Sequence, residues 1–223
     1  MRGIQAAFGV AGYVLIAGSI GFGALVRDMG LGLDFAIWSS FVFYALPAQV
    51  ILADQLGRGA SILAAAFAVT LTSVRLLPMV VTISPMLRDY RGRRWREVLA
   101  VHFVAVTAWI EGTRRLEPLP PALRLSHFFG FGVTFMFFCA LGATIGFVIA
   151  ASVPVALTAA LLFFTPSYFM LSMLATARAN ADKIAVVLGV VIGPLVYLVS
   201  PDLDLVVAGL VGGTIAYLSG RRR

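Results

Sequence analysis

The chain has 223 residues, 61% of them hydrophobic and 12% charged, with a mean hydropathy of +0.98. A soluble domain carries about twice that share of charge, so too little polar surface exists to coat a globule in water, and lipid must be the solvent for much of it. The net charge of +7 does not indicate nucleic acid, because the arginines lie in short blocks between apolar runs, with no basic face interleaved with aromatics.

Apolar runs of spanning length are predicted at about 5–26, 35–54, 61–83, 127–150, 154–175, 184–200 and 203–219. The first begins just after Arg2 and outruns a signal peptide, so it reads as a retained span. A shorter run at 98–113 carries His102 and Glu111 and is flanked by arginines, Arg88 to Arg96 before it and Arg114, Arg115 and Arg124 after it. If this run enters and leaves by one side, fourteen of the 17 Lys and Arg lie on that side, the tail Arg221, Arg222 and Arg223 among them; Arg2 and Arg58 lie opposite and Arg75 lies in a span. If it crosses, the split is ten to six. The positive-inside rule selects the first arrangement. The expectation is an all-α multi-pass protein of the bacterial cytoplasmic membrane, with seven crossings, a half-membrane segment at 98–113, the N-terminus outside and the C-terminus cytoplasmic. The uncharged turn at 151–153 and the turn with Asp202 and Asp204 then face outward.

A second pattern lies over the first. Ile20-Gly21-Phe22 recurs as Ile145-Gly146-Phe147, Pro47 has a counterpart in Pro166, and Pro78 in Pro194. With three spans in each set, a single domain over 1–223 would hold a 3+3 inverted repeat, about 5–87 and 127–200, followed by a last helix at 203–219. Many secondary transporters share this plan.

Interrupted membrane helices leave backbone groups without partners and commonly mark a solute site. One predicted break is Tyr44-Ala45-Leu46-Pro47-Ala48-Gln49, the other Thr165-Pro166-Ser167-Tyr168. Gln49 offers amide donors and an acceptor, against the simpler reading of a helix–helix hydrogen bond. Arg75 is costly inside lipid; it either snorkels or forks a substrate carboxylate or Glu111. Ser73 lies close to it in sequence and would otherwise bond its own backbone. Glu111 is either a proton carrier or amine ligand, or an interfacial partner of Arg114 and Arg115. His102 would lie on the opposite face of a straight helix from Glu111. Cys139 reads as a small buried hydrophobe, and a disulfide within the chain is excluded. Two histidines and one cysteine give no metal-site spacing. No phosphate-binding loop occurs, so direct nucleotide-driven transport is not expected; no cofactor and no enzymatic activity are expected either. The aromatics from Phe128 to Phe138 read as lipid-facing packing.

Several of these residues fall together in a known pattern. Gly18-Ser19-Ile20-Gly21-Phe22-Gly23-Ala24 with Arg27-Asp28-Met29-Gly30-Leu31, Ala45-Leu46-Pro47-Ala48-Gln49, Ser73-Val74-Arg75 and Ile83-Ser84-Pro85-Met86-Leu87-Arg88 resemble the AzlC family over most of 10–200. That family has a further stretch with Thr and acidic residues, here near Thr107 and Glu111. The resemblance implies a permease subunit linked to branched-chain amino acid export, usually acting with a small AzlD-type membrane partner. This chain departs from the family's pattern at three places: Leu76 stands where the family often has His, Ser73 where it commonly has Asn, and Ala108-Trp109 where it has acids.

The resulting expectation is an ion-coupled exporter of a small amino acid, working by alternating access. Gln49, Arg75, Pro47, Tyr44, Ser73, Thr165, Ser167 and Tyr168 would bind the solute, and Glu111, His102 and Thr107 are candidates for ion coupling. The rival readings are a channel-like facilitator or permease for another small organic solute, and a subunit inactive without its partner.

Overall fold

A computed structural model describes residues 2–89, 91–152, 154–176, 180–199 and 207–221, and among these every regular element is helical. The helices are α1 (Arg2–Ala7), α2 (Val10–Asp28), α3 (Leu33–Val42), α4 (Leu46–Gly57), α5 (Ile62–Ser73), α6 (Leu76–Ile83) with a 3-10 turn over Ser84–Leu87, α7 (Arg94–His102), α8 (Val106–Leu116), α9 (Pro121–Ile149), α10 (Val155–Thr176), α11 (Asn180–Tyr197) and α12 (Gly213–Arg221), which follows a π-helical stretch over Ala208–Gly212. Among the described residues, α2 and α9 are long and apolar enough to cross a membrane; α5 with α6, bent by 47° at their junction, makes a third if the pair is one span.

The centre of the molecule is the pair α2 and α9, which run parallel. A Cβ on Gly3 would come 3.3 Å from the Cα of Gly130, one on Gly12 would reach the Phe138 ring, and one on Gly142 would reach Ser19. Near the far end, a Cβ on Gly23 would run into the Ala143 carbonyl, and one on Gly146 into the Ile20 carbonyl. Small residues at these positions let the backbones touch, the usual way helices associate where lipid removes the hydrophobic drive. Arg27 ends this ladder, its guanidinium donating to the Phe147 carbonyl at 3.0 Å and lying over the Phe147 ring.

Two hairpins enter this frame from opposite ends. Gly30, at φ +73°, turns the chain out of α2, with Leu31 N–H donating to the Val26 carbonyl at 3.0 Å. This is a glycine helix stop, since L side chains rarely adopt that conformation. From there α3 descends toward mid-bundle, and α4 returns: Gly57, in its last turn, lies against Met29, where a Cβ would meet Sδ at 2.9 Å. The break at 43–45 has a sequence cause. Pro47 cannot continue a helix through residue 43, whose carbonyl its ring would strike, but it suits the first turn of a new one.

The second hairpin, α7–α8, starts from the other end. There Asp89 N–H donates to Glu97 at 2.8 Å, and Leu87, Leu116 and Leu125 share one buried cluster. Its tip at 103–105 reaches the middle of α9, with the Phe103 ring 5.7 Å from Phe129, and a Cβ on Gly132 would stand 2.9 Å from the Phe103 Cβ. The two tips meet. His102 Nε2 donates to the Phe41 carbonyl at 2.9 Å, and the Tyr44 and Phe103 rings are 6.4 Å apart.

Several expectations change as a result. The run 35–54 does not cross: it folds as a hairpin with both ends on one side. The run 61–83 breaks at Val74-Arg75, where Pro78 disallows the carbonyl four residues back. The segment 98–113 is two helices, not one, so the opposed-face argument for His102 and Glu111 does not apply. The N-terminus lies at the same end of α9 as Arg114, Arg115 and Arg124, not opposite them, because α2 and α9 are parallel. The paired interruptions at Pro47 and Pro166 are not found, since α10 runs unbroken through Pro166 and α11 through Pro194. A different near-repeat takes their place. A shift of 60 residues carries Phe43-Tyr44-Ala45 onto Phe103-Val104-Ala105 and Leu46, where α4 starts, onto Val106, where α8 starts. Each hairpin is followed by a long apolar stretch, the bent α5–α6 pair after the first and α9 after the second, and the two units point in opposite directions. Finally, Phe128, Phe131 and Phe135 are buried core residues with stacked edges, not lipid-facing packing; Phe137 is exposed.

Candidate functional site

The hairpin tips, the α5–α6 break and the α2–α9 pair enclose a small cavity. It is lined by Tyr44, Ala45, Leu46, Pro47 and Gln49 from the first hairpin, Ala105, Val106 and Thr107 from the second, Arg75 and Leu76 from the bent span, and Leu15 and Cys139 from the frame. The space open to the centre of a water-sized sphere is about 20 Å³, room for about one water. Beside it lies a larger, more open cavity of about 240 Å³, walled by Val42, Phe43, Ala48, Val80, Val101 and Val104, with Ser73 and His102 as its polar residues. Tyr44, Ala45 and Leu76 line both and form the partition.

The chemistry of the smaller cavity is that of donors without acceptors. Tyr44 and Gln49 are 7% and 2% exposed, yet the Tyr44 hydroxyl and Gln49 Nε2 have no hydrogen-bond partner, and neither does Arg75 Nε. Leaving one such group unsatisfied costs about 1–3 kcal/mol. All three belong to residues lining one cavity with room for a water-sized acceptor. The N-terminal turns of α4 and α8 also open onto the cavity, adding the positive ends of two helix dipoles. The arrangement is suited to an anionic group.

The predicted residues divide between two cavities. Tyr44, Pro47, Gln49, Arg75 and Thr107 come together around the small one. Ser73 and His102 line the larger one, where Ser73 Oγ donates to the Val69 carbonyl at 2.7 Å. Glu111 lies one turn beyond Thr107, 6% exposed, accepting from Arg115 Nε at 2.6 Å and lying 3.7 Å from Arg114 Nη1. Pro166 is exposed on α10, and neither it nor Ser167, whose hydroxyl donates to the Phe163 carbonyl, lines either cavity. The side chains of Thr165 and Tyr168, like Asp202, Asp204, Arg222 and Arg223, lie outside the described residues. Sequence reasoning missed the α8 N-terminus, Leu76 and Cys139. The recurrence of Phe-x-Ala after 60 residues was the available signal for the first.

The family model described as AzlC protein matches residues 10–153, a stretch that holds both hairpins, the bent span and the α2–α9 pair. No curated protein and no solved structure matches the chain.

Proposed function

The chain belongs to the AzlC family, whose members are generally branched-chain amino acid transporter components, and on that premise we propose that it is a secondary transporter exporting a small amino acid across the bacterial cytoplasmic membrane. The observation that carries this reading is the convergence of Tyr44, Gln49 and Arg75, each with an unpartnered buried polar atom, on one cavity between two opposed hairpins. Broken helices near mid-membrane, their N-termini turned toward a carboxylate, are a recurring transporter device. The solute's carboxylate engages Arg75 and Gln49, and its side chain lies toward the larger apolar cavity. Access alternates as one hairpin or the other withdraws its tip. The arginine-rich end, with the N-terminus, faces the cytoplasm. Glu111, buried one turn from the cavity and paired with Arg115 and Arg114, is the ion-coupling residue. A small AzlD-type subunit completes the assembly in cells.

The test is flux in proteoliposomes made with the protein alone and with its partner. Uphill amino acid movement that a protonophore dissipates is the expected result. Passive equilibration would replace the proposal with a facilitator, and flux only with the partner would make the chain a dependent subunit.

A further inference from the structure

The donor set of the small cavity reaches further than the transport reading on which it rests. Among the described residues, no acidic side chain lines either cavity. The nearest acid on the same helix, Glu111, is engaged by Arg115 and Arg114. The unpartnered atoms on the small cavity include two obligate donors, Gln49 Nε2 and Arg75 Nε, and a hydroxyl able to donate, Tyr44 Oη. A carboxylate therefore meets charge-assisted hydrogen bonds. An ammonium meets no carboxylate, only neutral acceptors: the hydroxyls of Thr107 and Ser73 and the carbonyl ends of α3 and α7 on the larger cavity. His102 is turned away from this task, its Nε2 committed to the Phe41 carbonyl at 2.9 Å. The larger cavity is walled mainly by Val42, Val80, Val101, Val104 and Leu76 and suits a short aliphatic chain.

We propose that the site reads its solute as a short-chain aliphatic monocarboxylate and leaves the 2-amino group unread, so that 2-oxo and 2-hydroxy acids are ligands alongside the corresponding amino acid. Among the described residues no carboxylate stands on either cavity to pair with the 2-ammonium.

The test is binding to the purified full chain in lipid nanodiscs, by calorimetry and thermal shift, using leucine, 4-methyl-2-oxopentanoate, 3-methylbutylamine and chloride, with Arg75→Gln and Gln49→Ala as variants. The expected result is that leucine and the oxo acid bind within about threefold of each other, the amine does not bind, and both variants weaken the two acids in parallel. Binding of leucine with the oxo acid ten or more times weaker overturns this inference and leaves the transport reading standing. Binding of neither acid, or binding of both unchanged in the two variants, overturns the inference and the placement of the transport site together. A response to chloride alone overturns it in favour of a halide site. Should Arg75→Gln fail to fold, Gln49→Ala and Arg75→Lys give the same comparison.

Discussion

The two hairpins share a design and differ in how their polar groups are used. In α7–α8 the polar groups are tied down: His102 holds the Phe41 carbonyl, Trp109 Nε1 donates to Thr82 at 2.9 Å, and Glu111 is gripped by Arg115. In the α3–α4 tip, Tyr44 and Gln49 are buried with polar atoms that have no partner. A buried network that is satisfied rigidifies its surroundings, whereas an unsatisfied one costs stability and is kept where function uses it. On the proposed function, α7–α8 serves support and coupling, and α3–α4, with Arg75 beside it, serves recognition.

Arg75→Gln is the substitution that should separate them most. Removing a charge-assisted contact costs about 1.5–3 kcal/mol, so solute affinity measured by calorimetry should fall roughly 10- to 100-fold with little change in expression. Glu111→Gln should do the reverse. Stability should drop by about 1–2 kcal/mol, with the solvent exposure of both arginines holding the loss down. Affinity should stay within about twofold and uphill flux should be lost; an affinity loss as large as that of Arg75→Gln would erase the distinction between the hairpins. Gln49→Leu is the sharper probe of unsatisfied burial. Affinity should weaken about tenfold, the lower end for a hydrogen bond to a charged group, while the melting temperature holds or rises because a buried orphan has gone. Trp109→Phe removes a satisfied bond from the other hairpin. It should lower the melting temperature by about 2–4 °C for a loss near 1 kcal/mol and leave flux per folded molecule unchanged.

Part of this architecture was legible in the sequence. Hydropathy separated lipid from water, Pro47 announced the break before it, Tyr44 and Gln49 stood out as polar groups beside that break, and Arg75 stood out by its cost in lipid. The path of the chain was not legible, for two physical reasons. An apolar run of about 20 residues satisfies lipid equally well whether it crosses or doubles back, so 35–54 read as a span. The charge count was blind to the error, since moving the N-terminus to the arginine-rich end exchanges Arg27 for Arg2, one basic residue for another. The break at 103–105 carries no proline; packing of Phe103 against Phe129 and Gly132 holds it open. Nor could pattern show that Pro166 sits inside a continuous helix.

A chamber that admits one water cannot admit an amino acid, so the occupied form must be wider than the shape described here. Widening means drawing apart the Tyr44–Leu76 partition against the frame, where Gly23 and Gly146 leave the two backbones no room to slide. If the widened form is scarce before the solute arrives, the apparent dissociation constant is the intrinsic one divided by that small fraction. Modest affinity would then follow from the geometry itself, and it suits a carrier that has to let its cargo go.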